Sequence, residues 1–330
     1  NPLILPDGRI LYSTWQRNLP EHGRTGRIEL FSINSDGTDI SVFNRQGKSI
    51  KHMAAITPEN RVVFVESDAL PWDGSGSLAS IRLNRFSKSY QPLDLEPGLY
   101  NSPAPLPDGR LLVSRRPSDA SGNHDLFLLD LDNRQVTPFI TDNRYHLMQA
   151  KAVAERALPD GRSSVVNEDD PNGQFFCLNI ATSDSTEFSE NFMEDARRVR
   201  FVEGIPSSGE GNLQKRILGE IDLSPDGSFF VEVPANTPIK VQVIDGRGMS
   251  LRSGTWIWTR NREPRGCIGC HEDPELTPVN RMVDAVKKDP YELTLPPRLR
   301  RSVSLHDNLL PVIEQHCSTA SCHGEPSNSK

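Results

Sequence analysis

Along the first two hundred residues, short apolar runs of strand length alternate with polar turns. Four segments open alike: "LPDGRILYS" from Leu5, "ITPENRVVFV" from Ile56, "LPDGRLLVS" from Leu106 and "LPDGRSSVV" from Leu158. Their prolines, Pro6, Pro58, Pro107 and Pro159, lie 52, 49 and 52 residues apart. Proline presets φ at the second position of a turn, and Asp-Gly supplies a side-chain acceptor and a permissive backbone. About twenty residues after most of these turns comes a second apolar run: "RIELFSINSDG", "SLASIRLNRF", "HDLFLLDLDN" and "GQFFCLNIATSD". Two or more short strands per period predict β-propeller blades, whose faces are buried only when neighbours stack on them. An ordinary β-sandwich with repeated Asp-Gly turns is the alternative. Residues 1–200 are assigned to WD-repeat-like blades. The first repeat begins almost at residue 1, so upstream blades are expected, six or seven in the parent protein.

After about residue 200 the period fails and strict alternation takes over. Phe229, Val231 and Val233 oppose Phe230 and Glu232, and Ile239, Val241 and Val243 oppose Lys240 and Gln242. This is the two-residue repeat of half-buried strands, broken by Pro-Asp-Gly and Asp-Gly-Arg-Gly turns. It predicts a small antiparallel β-sandwich over 201–262, similar to the transthyretin-like module of carboxypeptidase regulatory regions. The polar, glycine-rich "PSSGEGN" from Pro206 reads as its boundary or as a loop within it. Residues 263–300 and 301–330 form two further segments, each built around a cysteine pair. The expected fold is mainly β: a partial β-propeller, a small β-sandwich middle domain, and a mostly helical or irregular C-terminal region that holds both cysteine pairs.

At 330 residues the chain is long enough for two or more cores without crosslinks. Its formal charge of −7, with Lys and Arg scattered, argues against a nucleic-acid or anionic-membrane surface. No window approaches the roughly 18 apolar residues of a transmembrane segment. The opening residues read as the middle of a strand pattern rather than as a signal peptide, so an export signal is expected upstream of Asn1.

Five cysteines are too few for a disulfide scaffold, and four fall in two pairs near the end, Cys267/Cys270 and Cys317/Cys322. In Cys267-Ile268-Gly269-Cys270-His271, two intervening residues and an immediate histidine allow two thioethers to reach adjacent haem vinyl groups while His271 turns under the iron. A zinc site would need two further ligands at comparable spacing, and the next cysteine pair is 47 residues on. A disulfide would suit an oxidising compartment but leaves His271 unexplained. Upstream, Trp256 and Trp258 share one face of an extended segment and would suit a flat apolar partner, with Arg265 placed for its propionates; core packing and solvation are the plainer roles. The second pair, Cys317 and Cys322 followed by His323, is a widened attachment pattern with four intervening residues. A cytochrome c domain there is expected to continue past Lys330. Cys177 reads as lying opposite an apolar face of Phe176, Leu178 and Ile180, either as an inert strand cysteine or as a second metal ligand. His306 and His316 are candidate distal ligands, while His22, His52, His124 and His146 read as surface or turn histidines. Glu272 and Asp273 could deliver protons at an open iron, or simply be solvated.

The run "VEVPANTPIKVQVIDGRGMSLRSGTWIWTRNREPRGCIGCHEDPELTPVNRMVDAV" resembles the middle domain of the hydrazine synthase alpha-subunit family. The resemblance implies a propeller joined to a middle domain carrying one c-type haem, a cytochrome c domain carrying another, and a zinc ion held in part by a propeller cysteine. In hydrazine synthase a tyrosine shortly after the motif binds the iron. Here Glu275 stands four residues after His271, and no tyrosine follows until Tyr291. The attachment motifs themselves predict two haem c groups with His271 and His323 on the irons, and the resemblance implies zinc with Cys177 as a ligand. It further implies an extracytoplasmic, periplasmic setting, a small and possibly nitrogenous substrate, a redox partner protein and a multi-subunit complex. The synthase reaction itself is not implied, and a propeller scaffold whose haems only relay electrons is the other reading. No catalytic residue is assigned.

Overall fold

The structure, a computed structural model, describes residues 2–16, 26–44, 46–183, 192–206, 213–270, 275–294, 296–302 and 308–317. The chain divides into two compact units, one of Asn1–Ser164 with Asp273–Glu275 and one of Val165–Glu272 with Leu276–Lys330.

Among the described residues, the first unit contains three four-stranded antiparallel meanders. The first is β1 (Leu3–Ile4), β2 (Ile10–Gln16), β3 (Arg27–Ile33) and β4 (Ser41–Asn44); the second is β5 (Ile50–Ile56), β6 (Arg61–Ser67), β7 (Ser77–Arg82) and β8 (Gln91–Pro92). A single parallel pairing, Ile28 with Ile50, joins them into one sheet. The third is β9 (Leu99–Pro105), β10 (Leu111–Arg116), β11 (Asp125–Asp130) and β12 (Gln135–Ile140). The recurring turn always joins the first strand of a blade to the second. Leu5 N–H donates to Arg9 O (2.8 Å) and Gly8 N–H to Leu5 O (3.0 Å). Thr57 and Asn60 repeat the pattern at 2.9 and 3.0 Å, and Leu106 and Gly109 at 2.8 and 3.1 Å. Gly8, Asn60 and Gly109 all take positive φ, which the turn requires and which glycine or asparagine tolerates best.

The middle blade shows why the unit is a stack. On β6, Val62 and Phe64 join a cluster with Leu11, Leu30 and Phe43 of the first blade. Val63 and Val65 join another with Tyr100, Leu111, Val113 and Leu129 of the third. A strand buried on both faces reads as a continuous apolar run, and "RVVFV" is one.

The fourth copy of the repeat departs from expectation. Residues 149–166 form no strand, and Gly161 does not take positive φ. Where the other copies follow the turn with apolar residues, this one has Ser163 and Ser164, which give a strand little to bury. The segment instead straps the turns of the first blade: Asp160 N–H donates to Pro6 O (2.7 Å), Arg162 Nη1 to Asn34 Oδ1 (2.8 Å) and Ser164 Oγ to Asp36 Oδ2 (2.6 Å).

The second unit is a two-sheet sandwich. One sheet orders β18 (Ser250–Ile257), β17 (Ile239–Ile244), β14 (Arg198–Pro206), β15 (Leu213–Asp222) and β21 (Arg301–Ser302). The other orders β19 (Pro264–Cys267), β13 (Asn172–Cys177), β16 (Phe229–Pro234) and β20 (Tyr291–Glu292). Their core combines Val199, Phe201 and Ile239 of one sheet with Phe175, Phe229, Val231 and Val233 of the other. The sandwich therefore starts earlier than the alternation after residue 200 indicates. Strand β13, which the repeat groups with the blades, pairs with β16 through Phe175↔Val231 and Cys177↔Phe229. Short α-helices lie at Phe192–Asp195 (α1) and Leu310–His316 (α2), and no helix among the described residues is long and apolar enough to cross a membrane.

Candidate functional site

Strand β19 carries Cys267, the first cysteine of the Cys-Ile-Gly-Cys-His motif, into a segment laid along residues 177–182. In the parallel pairing of β13 with β19, Phe175 is opposite Arg265 and Cys177 opposite Cys267. Beyond the strand the alignment continues: Leu178 N–H donates to Cys267 O (2.9 Å), Asn179 N–H to Ile268 O (3.2 Å), and Cys270 N–H to Thr182 O (2.8 Å). Gly269 is needed for this approach, since a Cβ there would sit 2.1 Å from the Thr182 carbonyl oxygen. Gly266 is equally confined, by the ring of Phe176 at 2.3 Å. Glycine thus lets two backbones touch, which is a different role from easing a turn.

Cys267 and Cys270 are both partly exposed, and among the described residues no disulfide joins them. Two reachable thiols on one fixed backbone segment fit the demands of double thioether attachment, so the residues present are compatible with a c-type haem. His271, the expected iron ligand, lies outside the described residues, as do Glu272, Asp273, His22, His306, Cys322 and His323.

Cys177 faces the other way from the sequence reading. Phe175 and Cys177 point into the sandwich core, each 2% exposed, while Phe176 lies on the opposite face. Both faces of "QFFC" are apolar, and the pairing with β16 selects the inward one. Cys267 packs against the same core cluster, so the lone cysteine and the motif's first cysteine are neighbours.

The tryptophans do not fill that core. Ile257 shares the core-facing side with its partner Ile239, which leaves Trp256 with Lys240 on the outer side of β18. Trp256 and Trp258 are half-buried, and Arg265 Nη1 donates to the Trp258 carbonyl (2.8 Å), which ties β19 to the end of β18. Arg260, upstream of the motif, pairs with Glu168 (2.8 Å) and donates to Asn236 Oδ1 (2.7 Å). Glu275, assigned to the first unit, accepts a hydrogen bond from Ser87 N–H (2.8 Å) and lies 3.8 Å from Arg85. For the second pair, the "LLPVIEQH" run is helical as its apolar character indicates, with Cys317 N–H donating to Ile313 O (2.8 Å) just past α2. Val312 and Ile313 on this helix are exposed.

A polar cluster that sequence reasoning missed lies between the second and third blades. Asp73 is buried and accepts from Arg116 (2.6 Å), from Ser75 Oγ (2.9 Å) and, at 3.3 Å, faces His124 Nε2. His124, read from sequence as a surface or turn histidine, is fully buried; its Nδ1 lies 2.9 Å from Nδ1 of the exposed His146. Burial opposes the charge on Asp73, but hydrogen bonds from Ser75 and the charges of Arg116 and His124 outweigh it and hold its pKa below the ordinary carboxylate value. Burial lowers the pKa of His124, and Asp73 only partly compensates. Nothing local in the sequence marks this cluster, because its members are brought together only when blades stack. Among the described residues, no three His, Cys, Asp or Glu side chains are grouped to hold a metal ion.

Comparison with known proteins bears on the segment around β19. Residues 180–272 match the family model described as the hydrazine synthase alpha subunit middle domain. Over 335 aligned residues the chain is 25% identical to hydrazine synthase subunit alpha of Kuenenia stuttgartiensis, an alignment covering 82% of this chain and 41% of that protein. The chain thus spans less than half the length of the curated relative it matches. The solved structure of Kuenenia stuttgartiensis hydrazine synthase superposes on 99% of this chain and 56% of its own, at 20% identity and a TM-score of 0.76. In the sequence of its middle segment and in the fold of nearly its whole length, the chain is hydrazine synthase alpha-like.

Proposed function

We propose that the chain is an extracytoplasmic c-type haem protein, with one haem attached through Cys267 and Cys270 and ligated by His271, and a second at Cys317, Cys322 and His323. The observation that carries this reading is the Cys-Ile-Gly-Cys-His motif at the end of the matched middle-domain segment, with both of its cysteines only partly buried. A bound haem supplies electron transfer and, where one iron position is open, small-molecule redox chemistry. The chain's own residues fix the attachment point: β13 and the 178–182 backbone hold Cys267 and Cys270 at a set separation, and Arg265 is anchored on Trp258. In this reading Cys177, buried and in register with Cys267, is the residue offered as a ligand to zinc.

The favoured role is oxidoreduction of a small, nitrogenous substrate within a multi-subunit assembly, in line with a relative named as a subunit. In a second reading the propeller is a binding scaffold and the haems only relay electrons. A visible spectrum of exported protein with reductant and then carbon monoxide separates the two. A carbon monoxide shift supports substrate chemistry at an open iron; a reduced haem that ignores carbon monoxide supports the relay, and a spectrum without haem bands overturns both.

A further inference from the structure

Cys177 and Cys267 oppose each other across the parallel pair of β13 and β19. Register partners in parallel strands carry their side chains on the same side of the sheet, and neighbouring strands lie about 4.8 Å apart. Disulfides span Cα separations of about 4.4–6.8 Å, so this pair is within reach of one. Both side chains pack on one core cluster, Cys177 buried and Cys267 partly exposed. β19 has four residues and, among the described residues, lies at the edge of its sheet, so the short shift that would bring the sulfurs together falls on an edge segment. Cys270 is the competing partner for Cys267, but the hydrogen bonds to Leu178, Asn179 and Thr182 lay residues 267–270 along the neighbouring backbone instead of folding them back on themselves.

We propose that Cys177 is a third thiol of the attachment site, closing a disulfide with Cys267 in the haem-free chain and withholding that thiol until it is reduced. Cys267, the reachable member, attacks an external disulfide, forming a mixed disulfide and releasing one thiol. The Cys177 sulfur then attacks the Cys267 sulfur, forming the internal bond and releasing the second thiol. The two cysteines lose two electrons and two protons, and the external disulfide gains them. Thioether formation requires Cys267 as a thiol that adds across a vinyl group, so the crosslinked chain takes up haem only after a dithiol returns two electrons. That consequence rests on the haem-attachment reading; the disulfide does not.

The 330-residue chain, purified without haem from cells lacking the attachment machinery, is oxidised with glutathione disulfide. Its remaining thiols are blocked with iodoacetamide in denaturant, and it is digested without reductant for peptide mass spectrometry. The expected product is the Cys177–Cys267 peptide pair, at least tenfold over the Cys267–Cys270 loop, and formed equally in Cys270→Ser. A Cys177 that is recovered alkylated, or bonded to any other cysteine, overturns the proposal, as does a Cys270→Ser chain that stops at a Cys267–glutathione mixed disulfide. The wild-type result stands if the variant misfolds, and the absence of haem makes the outcome independent of whether exported protein carries haem.

Discussion

Gly269→Ala places a methyl group where the structure has a carbonyl oxygen. The new Cβ would lie 2.1 Å from Thr182 O and 2.6 Å from Thr182 Cβ, so one of the two backbones must move. Three hydrogen bonds hold them together, from Leu178 N–H to Cys267 O, from Asn179 N–H to Ile268 O, and from Cys270 N–H to Thr182 O. Each contributes about 1 kcal/mol net, so losing only the last costs about 1 kcal/mol and peeling the loop off costs about 3 kcal/mol. Urea unfolding of the haem-free chain measures this directly. Gly161→Ala is the control: no atom lies within 4 Å of its added Cβ, and the expected change is within about 0.5 kcal/mol. In exported protein Gly269→Ala should also lower the haem-to-protein absorbance ratio, because Cys270 moves with the displaced loop. A variant that matches the control in both stability and haem loading would refute the claim that the motif is pinned to residues 177–182.

Asp73→Asn leaves Arg116 buried without its counter-charge and should cost about 3–5 kcal/mol in urea or thermal unfolding, whereas a loss under 1 kcal/mol would mean the blade interface tolerates that charge. The wild-type chain should lose stability in acid in two windows. His124 has a folded-state pKa below its unfolded value near 6.5, so stability falls as pH drops through that value; Asp73, also depressed, contributes stability above about pH 4 that is lost below it. A stability curve flat from pH 8 to 5 contradicts the first assignment. Glu275→Gln keeps an acceptor for Ser87 N–H and weakens an ion pair with the exposed Arg85, so stability should change by less than about 1 kcal/mol. A larger loss in urea unfolding would contradict this.

The parts of the fold legible in the sequence were those set by local chemistry. A Pro-Asp-Gly turn carries its own φ preference and side-chain acceptor, and three of the four copies form the same turn at the same place in a blade. Alternation at Phe229, Val231 and Val233 likewise gave the correct inward face, because Glu232 breaks the apolar run on the other. Local chemistry misleads where pairing decides. Residues 158–166 have the turn sequence but little apolar follow-on to pair, and "QFFC" is apolar on both faces, so the partner strand β16 settles which side is buried. The Asp73–His124 contact joins residues from successive blades and leaves no periodic mark. At the candidate site, the cysteine spacing is visible in the chain, but the closeness of Cys177 to Cys267 comes from a parallel pairing between strands ninety residues apart.

Covalent haem on Cys267 and Cys270 is read out by peptide mass spectrometry of protein exported with its attachment machinery. The peptide containing Cys267-Ile268-Gly269-Cys270-His271 should be recovered with haem bound through both sulfurs, and Cys267→Ser with Cys270→Ser should abolish this adduct. Recovery of that peptide with both thiols alkylated, or with zinc as its only adduct, would contradict that attachment.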